Sequence, residues 1–337
     1  MTLEEFLKQD KPEQFDMKKN LMHDYYNAYE SKHKNDKAYQ AMLKRTEQMS
    51  KKRGVALWYD YKTADENYTP KKYRFDCDSS NETNDLMNEV YALLWWNEAD
   101  KWGIDKDSFG SDTMNSFATT FNALMQKNNH KESYAAYVNE TETKMSKKIV
   151  DAYAEHTGYL GNFTLVPRGY NTARYNSFKD YWDLSLDALR REETVRLDDV
   201  GMDFNRYINT FFLWDYVGKT YHVRPLFAGH GPLLRPKDHI LPRRYEQGQV
   251  NEFDEFGEFK EFMSNANRNI ERRGSFMVAM LRIAKASADD WKTIIHALAT
   301  SERLGEMQDV LALLAKLDGL QDGTKAILQD ALSKLNP

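Results

Sequence analysis

A single cysteine, Cys77, occurs among the 337 residues. One thiol cannot close an internal disulfide or build a thiolate metal cluster, and lone thiols are usual in reducing compartments. Proline is scarce as well, and four of the 8 prolines (Pro225, Pro232, Pro236 and Pro242) fall between Gly218 and Gly257, where they break any regular element. Nowhere do about 18 apolar residues follow one another, which removes a bilayer-spanning helix from consideration. The first ten residues carry Glu4, Glu5, Lys8 and Asp10 where a secretion signal needs an apolar stretch. The expectation is a cytoplasmic protein with no membrane partner, in which the sequons at Asn67, Asn81, Asn139 and Asn162 carry no glycan. There is no Walker loop, no dinucleotide glycine fingerprint, no HExxH and no GxSxG, so several large enzyme classes lose support. Neither sign of charge dominates: 47 basic residues face 52 acidic ones, for a net charge of -5, and any nucleic-acid surface must be local.

Aromatic residues are plentiful, with 20 Tyr, 17 Phe and 7 Trp, so rings should supply much of the buried area. Most segments repeat apolar residues at three and four positions, which lines one face of a helix. Leu21 to Tyr29 and Tyr39 to Met49 predict a helical hairpin, and Val55 to Tyr61 is either a short strand or an extended link. Leu86, Val90, Leu93, Leu94 and Trp102 predict a third helix. Met114, Phe117, Phe121 and Leu124 predict a fourth, capped by Ser111 or Asp112. Tyr134 to Ala152, Phe178 to Leu189 and Tyr207 to Trp214 give three more, and the adjacent Trp95 and Trp96 are expected in the core. From Gly218 to Gly257 the pattern fails and a long loop is expected. Helicity resumes at Phe259 and continues through Met277 and Ala284 past Gly274, where the missing side chain implies a bend or a close contact. After Ser287 the composition turns to Leu and Ala in three short helical runs punctuated by Gly305, Gly319 and Gly323. The expected fold is all-α or a strongly α-dominated α+β. Its main body is residues 1–286, with a small helical unit over 287–337 that either packs on that body or docks a protein partner.

The most distinctive stretch runs from Glu155 and His156 through Gly161-Asn162-Phe163-Thr164-Leu165-Val166-Pro167 to Asn171, Asn176, Phe178 and Lys179. It predicts a short strand at Phe163 to Val166, a turn at Pro167 to Gly169, and a helix from Ser177. The segment resembles the second half of HNH-type nuclease domains associated with modification-dependent restriction. That resemblance implies a histidine beside a divalent metal, with Asn162 orienting the histidine and Asn171 or Asn176 near a helix-borne ligand position. His156 lies a few residues before Asn162. The string Asp238-His239-Ile240-Leu241-Pro242 matches the family's leading strand but lies downstream, so only a permuted arrangement brings His239 to Asn162. The same residues also admit an architectural role, with Asn162 tying a turn and Asn176 capping a helix. Over its whole length the chain resembles an uncharacterised bacterial family, through Ser111 to Phe117, Gly161 to Pro167 and Asp180 to Leu184.

Two further groups carry chemistry. The loop holds Lys219, Arg224, Arg235, Lys237, Arg243 and Arg244 against one acid, Asp238, between Lys219 and Tyr245. These cations suit phosphate, and Tyr221, Phe227 and Tyr245 suit stacking on bases, although Glu252, Asp254, Glu255, Glu258 and Glu261 follow closely and provide internal partners. His222, His230 and His239 share the loop at no recognised zinc spacing. Arg168 and Arg174 flank Gly169-Tyr170-Asn171, a cluster suited to a phosphate or a base edge.

Overall fold

The computed structural model describes residues 1–17, 85–116, 149, 152–153, 155–170, 174, 181–192, 195–230, 256–302 and 304–335. Helix accounts for 65 % of this region, and the sheet within it has two strands, so the α-dominated expectation holds. None of the described helices is long and apolar enough to cross a membrane. The expected hairpin at 21–49, the segment Val55 to Tyr61 and most of the helix at 134–152 lie outside the described residues.

In chain order the helices are α1 (Leu3–Leu7), α2 (Asp85–Tyr91), α3 (Ala99–Trp102), α4 (Trp182–Arg190), α5 (Phe204–Thr210), α6 (Phe256–Ala286), α7 (Ala288–Thr300), α8 (Met307–Leu314) and α9 (Asp322–Lys334). A π-helical stretch, Ala92–Trp96, continues α2. The strands β1 (Phe109–Thr113) and β2 (Phe163–Pro167) pair antiparallel, with Phe109 opposite Pro167 and Thr113 opposite Phe163.

The spine is α6, 31 residues long and about 47 Å at 1.5 Å per residue. Met263, Ala266, Ile270, Met277, Met280, Leu281 and Ala284 on it are all buried, as a row repeating at three and four residues requires. Against this row pack the turn before β2, the π-helical stretch, and α7, α8 and α9. The aromatic part of the core packs ring on ring, tilted around Trp95 and edge to face around Phe276, which suits the ring quadrupoles. Trp95 lies 5.6 Å from Phe211 and 5.7 Å from Phe212, and Phe276 of α6 lies 5.0 Å from Phe212 and 5.2 Å from Trp214.

Several boundaries differ from the sequence pattern. Ser111 and Asp112 cap no helix; they sit in β1, where the Asp112 side chain accepts the Thr113 amide and pairs with Arg174. Cap-forming residue types also suit a strand whose polar groups find distant partners, and that pairing is non-local. The aromatic helix ends at Thr210 rather than running to Trp214, because Phe212 turns to a φ of +59°. Gly305 and Gly319 turn the links between the helices at positive φ, while Gly323 lies inside the first turn of α9.

The C-terminal helices share the main core. Leu298, Met307, Val310, Leu314 and Leu328 are buried in the same cluster as Trp102 and Phe276. Polar ties reinforce this: Trp291 Nε1 donates to the Leu93 carbonyl at 3.2 Å, and Asn209 Nδ2 to that of Ser301 at 2.9 Å. Ser287 caps α7 by accepting the Asp290 amide, and the Asp290 carboxylate accepts from Thr324 Oγ1 at 2.5 Å, tying α9 to α7.

Candidate functional site

The region singled out by the sequence begins where β1 and β2 meet. The Phe163 to Val166 strand is observed as expected, fully buried, and the turn Leu160–Asn162 delivers it against the middle of α6. Contact there is backbone to backbone. A Cβ on Gly161 would stand 1.9 Å from the Ile270 carbonyl oxygen and 2.6 Å from the Gly274 nitrogen. Gly274 therefore marks a close crossing, one of the two outcomes its place in a helix implied.

Asn162 is fully buried and its side chain is saturated. Its Oδ1 accepts the Asn115 amide at 2.9 Å and Asn115 Nδ2 at 3.1 Å, while its Nδ2 donates to the carbonyls of Asn115 and Thr157, both at 2.9 Å. These four bonds use the two lone-pair directions and both N–H groups that a carboxamide has. Asn162 thus locks the chain after β1 to the turn before β2, and it bonds no histidine.

His156 lies instead on the far side of that turn. Its Nδ1 donates to the Ala152 carbonyl at 2.5 Å, and its Nε2 meets Glu271 Oε1 of α6 at 2.7 Å. The ring centroid is 4.7 Å from that of Tyr159. Burial pushes the Tyr159 phenol up to about 12, helped by the nearby carboxylates of Glu155, Glu271 and Asp16. Among the described residues no three His, Cys, Asp or Glu side chains converge as metal ligands would. With Asn162 saturated, these residues do not fit the divalent-metal centre that the nuclease resemblance implies.

The two arginines that flank Tyr170 diverge. Arg168 is exposed, and its Nε donates to the Asp107 carbonyl at 2.5 Å. Arg174 is 1 % exposed: its Nη1 donates to Asp112 Oδ2 at 2.6 Å and to the Thr113 carbonyl at 2.8 Å, and its Nη2 to the Met114 carbonyl at 2.6 Å. The guanidinium also lies over the Trp182 ring, 5.2 Å from its centroid. An internal ion pair and two carbonyls leave Arg174 turned away from any surface ligand. Tyr170 donates to the Ser185 carbonyl, and burial raises its phenol far above the usual range. Asn171, Asn176, Arg235, Lys237, His239, Arg243 and Arg244 lie outside the described residues.

Of the loop, residues 218–230 are described, and their cations turn to the C-terminal helices: Lys219 lies 3.4 Å from Asp309, and Arg224 pairs with Glu306. His222 is exposed, whereas His230 is fully buried, its Nδ1 donating to Asp183 Oδ2 at 2.8 Å. The same carboxylate oxygen accepts the Leu226 amide at 2.7 Å, so Asp183 of α4 fastens both ends of the Leu226 to His230 segment. Asp183 and His230 belong to separate groups in the sequence, the Asp180 to Leu184 segment and the histidines of the loop, and their pairing across 47 residues shows in neither. Arg273 of α6 is equally unmarked: it is 1 % exposed, its Nε donates to the Phe211 carbonyl at 3.0 Å, and its Nη1 to those of Gly161 at 2.8 Å and Phe163 at 2.6 Å. No family model, no curated protein and no solved structure matches the chain.

Proposed function

We propose that this protein is a non-enzymatic helical scaffold that engages a protein partner, and that the strand and turn around Asn162 brace its core. The observation that supports this reading best is the saturation of Asn162, whose every donor and acceptor already serves the fold. Arg174 and Asp183 add to it, since both are buried in internal pairs. The mixed surface charge, with a net value of -5, favours a protein over a polyanion as partner. The C-terminal helices over 287–335, anchored on α6, are the surface available for it.

A second reading, nucleic-acid handling, keeps one specific observation: Arg168 is exposed on the turn after β2 and makes no ion pair among the described residues. One set of measurements separates the two. Incubation with single- and double-stranded DNA and RNA under Mg²⁺ or Mn²⁺ should leave the polymers intact. In-cell cross-linking should place a partner protein on residues 287–335. Cleavage that disappears in His156→Ala while the melting curve stays unchanged would sink the scaffold reading. Salt-steep binding that weakens in Arg168→Ala would establish the second.

A further inference from the structure

Two Asp-Gly dipeptides occur in the chain, Asp318-Gly319 and Asp322-Gly323, close together near its C-terminal end. An aspartate followed by glycine has a reaction open to it that bulkier neighbours hinder. The glycine amide nitrogen, with no side chain beside it, can reach the carboxyl carbon of the preceding aspartate and close a five-membered ring. In a folded protein the reaction requires that the peptide unit between the two residues can rotate.

The structure treats the two pairs differently. Asp318 and Gly319 lie in the link between α8 and α9, and both are exposed. Gly319 has a φ of +83°, as at the second central position of a type II turn, and open space surrounds the place where a Cβ would stand. Among the described residues no hydrogen bond reaches the Asp318 carbonyl or the Gly319 amide. That peptide unit is tethered at neither end, so it is cheap to turn.

Asp322 and Gly323 are exposed too, but they belong to the first turn of α9. The Asp322 carbonyl enters the helix ladder. The residues on either side are fastened: the Asp290 carboxylate accepts the Gln321 amide at 3.2 Å and the Thr324 hydroxyl at 2.5 Å, and the Lys325 amide donates to the Gln321 carbonyl at 3.1 Å. Turning the peptide unit between Asp322 and Gly323 means unwinding that turn.

We propose that Asp318 is a site of spontaneous backbone isomerisation to isoaspartate, and that the fold directs the reaction to it and away from Asp322. The Gly319 nitrogen bonds to the Asp318 side-chain carboxyl carbon, and the amide hydrogen leaves with the carboxyl hydroxyl as water. A second water molecule then opens the succinimide ring. Breaking the new C–N bond restores aspartate. Breaking the original peptide C–N bond instead leaves the chain running through the side-chain carbons, with the former main-chain carbonyl as a free carboxylate. The link thereby gains one methylene immediately before Leu320, which is buried, so the modified chain holds α9 less firmly.

The test uses the full-length protein, kept folded at neutral pH until a synthetic peptide of residues 317–325 has isomerised at both positions under the same conditions. Trypsin, cutting after Lys316 and Lys325, then releases the same segment from the protein. Electron-transfer fragmentation distinguishes isoaspartate from aspartate at each position. In the folded chain isoaspartate should form at 318 about tenfold faster than at 322, the weight of roughly one backbone hydrogen bond. In Gly319→Ala, whose added methyl hinders the attack, accumulation at 318 should fall away. Equal accumulation at the two positions of the folded chain overturns the proposal, as does none at 318 or an undiminished rate there in Gly319→Ala.

Discussion

The junction of β1, β2 and the middle of α6 differs in kind from the three C-terminal helices that lean on the same spine. At the junction the groups in contact are backbone and buried polar side chains: Gly161 against Gly274, Asn162 against Asn115, Arg273 against three carbonyls. In α7 to α9 the contacts are Leu, Ile, Val and Met side chains with a few polar ties. Apolar packing tolerates small repacking, whereas a saturated polar junction tolerates almost no change in shape. Equal substitutions should therefore have unequal consequences in the two regions.

The largest effect is expected for Gly161→Ala. Its Cβ would enter the backbone of α6, which no rotamer change relieves, so a loss of about 4 kcal/mol or failure to fold is expected in urea titration. A mild effect would mean that the turn and α6 are not in contact. Alkaline titration probes the same region as a whole, because the C-terminal helices contain no tyrosine. Tyr170, Tyr207 and Tyr216 are phenols that burial holds well above the usual phenol range in the folded state. Their contribution is complete below about pH 10 and declines as pH rises above it, since the unfolded chain then releases protons that the folded chain retains. At pH 11 the three together should remove about 4 kcal/mol relative to pH 8, read from denaturant midpoints. Stability unchanged to pH 11 would place these phenols in water.

Asn162→Ala should cost about 3 kcal/mol, as it leaves the Asn115 amide and the Thr157 carbonyl buried without their partner. A loss below about 1 kcal/mol would reopen a non-architectural role for this residue. Gly319→Ala closes the series: φ is +83° but nothing lies within 4 Å of the added Cβ. Only the backbone preference opposes it, so about 1 kcal/mol is expected from the same titration. If Gly319→Ala matched Gly161→Ala, the contrast between the regions would collapse.

The same contrast explains what the sequence revealed. The helix through Gly274 and the three C-terminal runs were legible because their burial is set by local periodicity, Met263 to Ala284 being the longest row. The strand at Phe163 is legible from its β-prone residues, but Ser111 and Asp112 of its partner read as a helix start, since their pairing with β2 and with Arg174, 62 residues from Asp112, is non-local. Within the candidate site, Asn162 stood out by type and neighbours, but its bonds to Asn115 and Thr157 depend on how the chain returns. Arg273 was hidden by its chemistry. It occupies the apolar row three residues after Ile270 and four before Met277, and that register, rather than its charge, is the signal that marks it as interior.

The length of α6 has a consequence for how the molecule comes apart. One rod touches the N-terminal turn at Pro12–Gln14, the Gly161 crossing, the aromatic stack and all three C-terminal helices. Heat or denaturant meets no seam along it. A disturbance at either end must be absorbed by the whole rod or break it, so the two regions, for all their difference in composition, share a single fate.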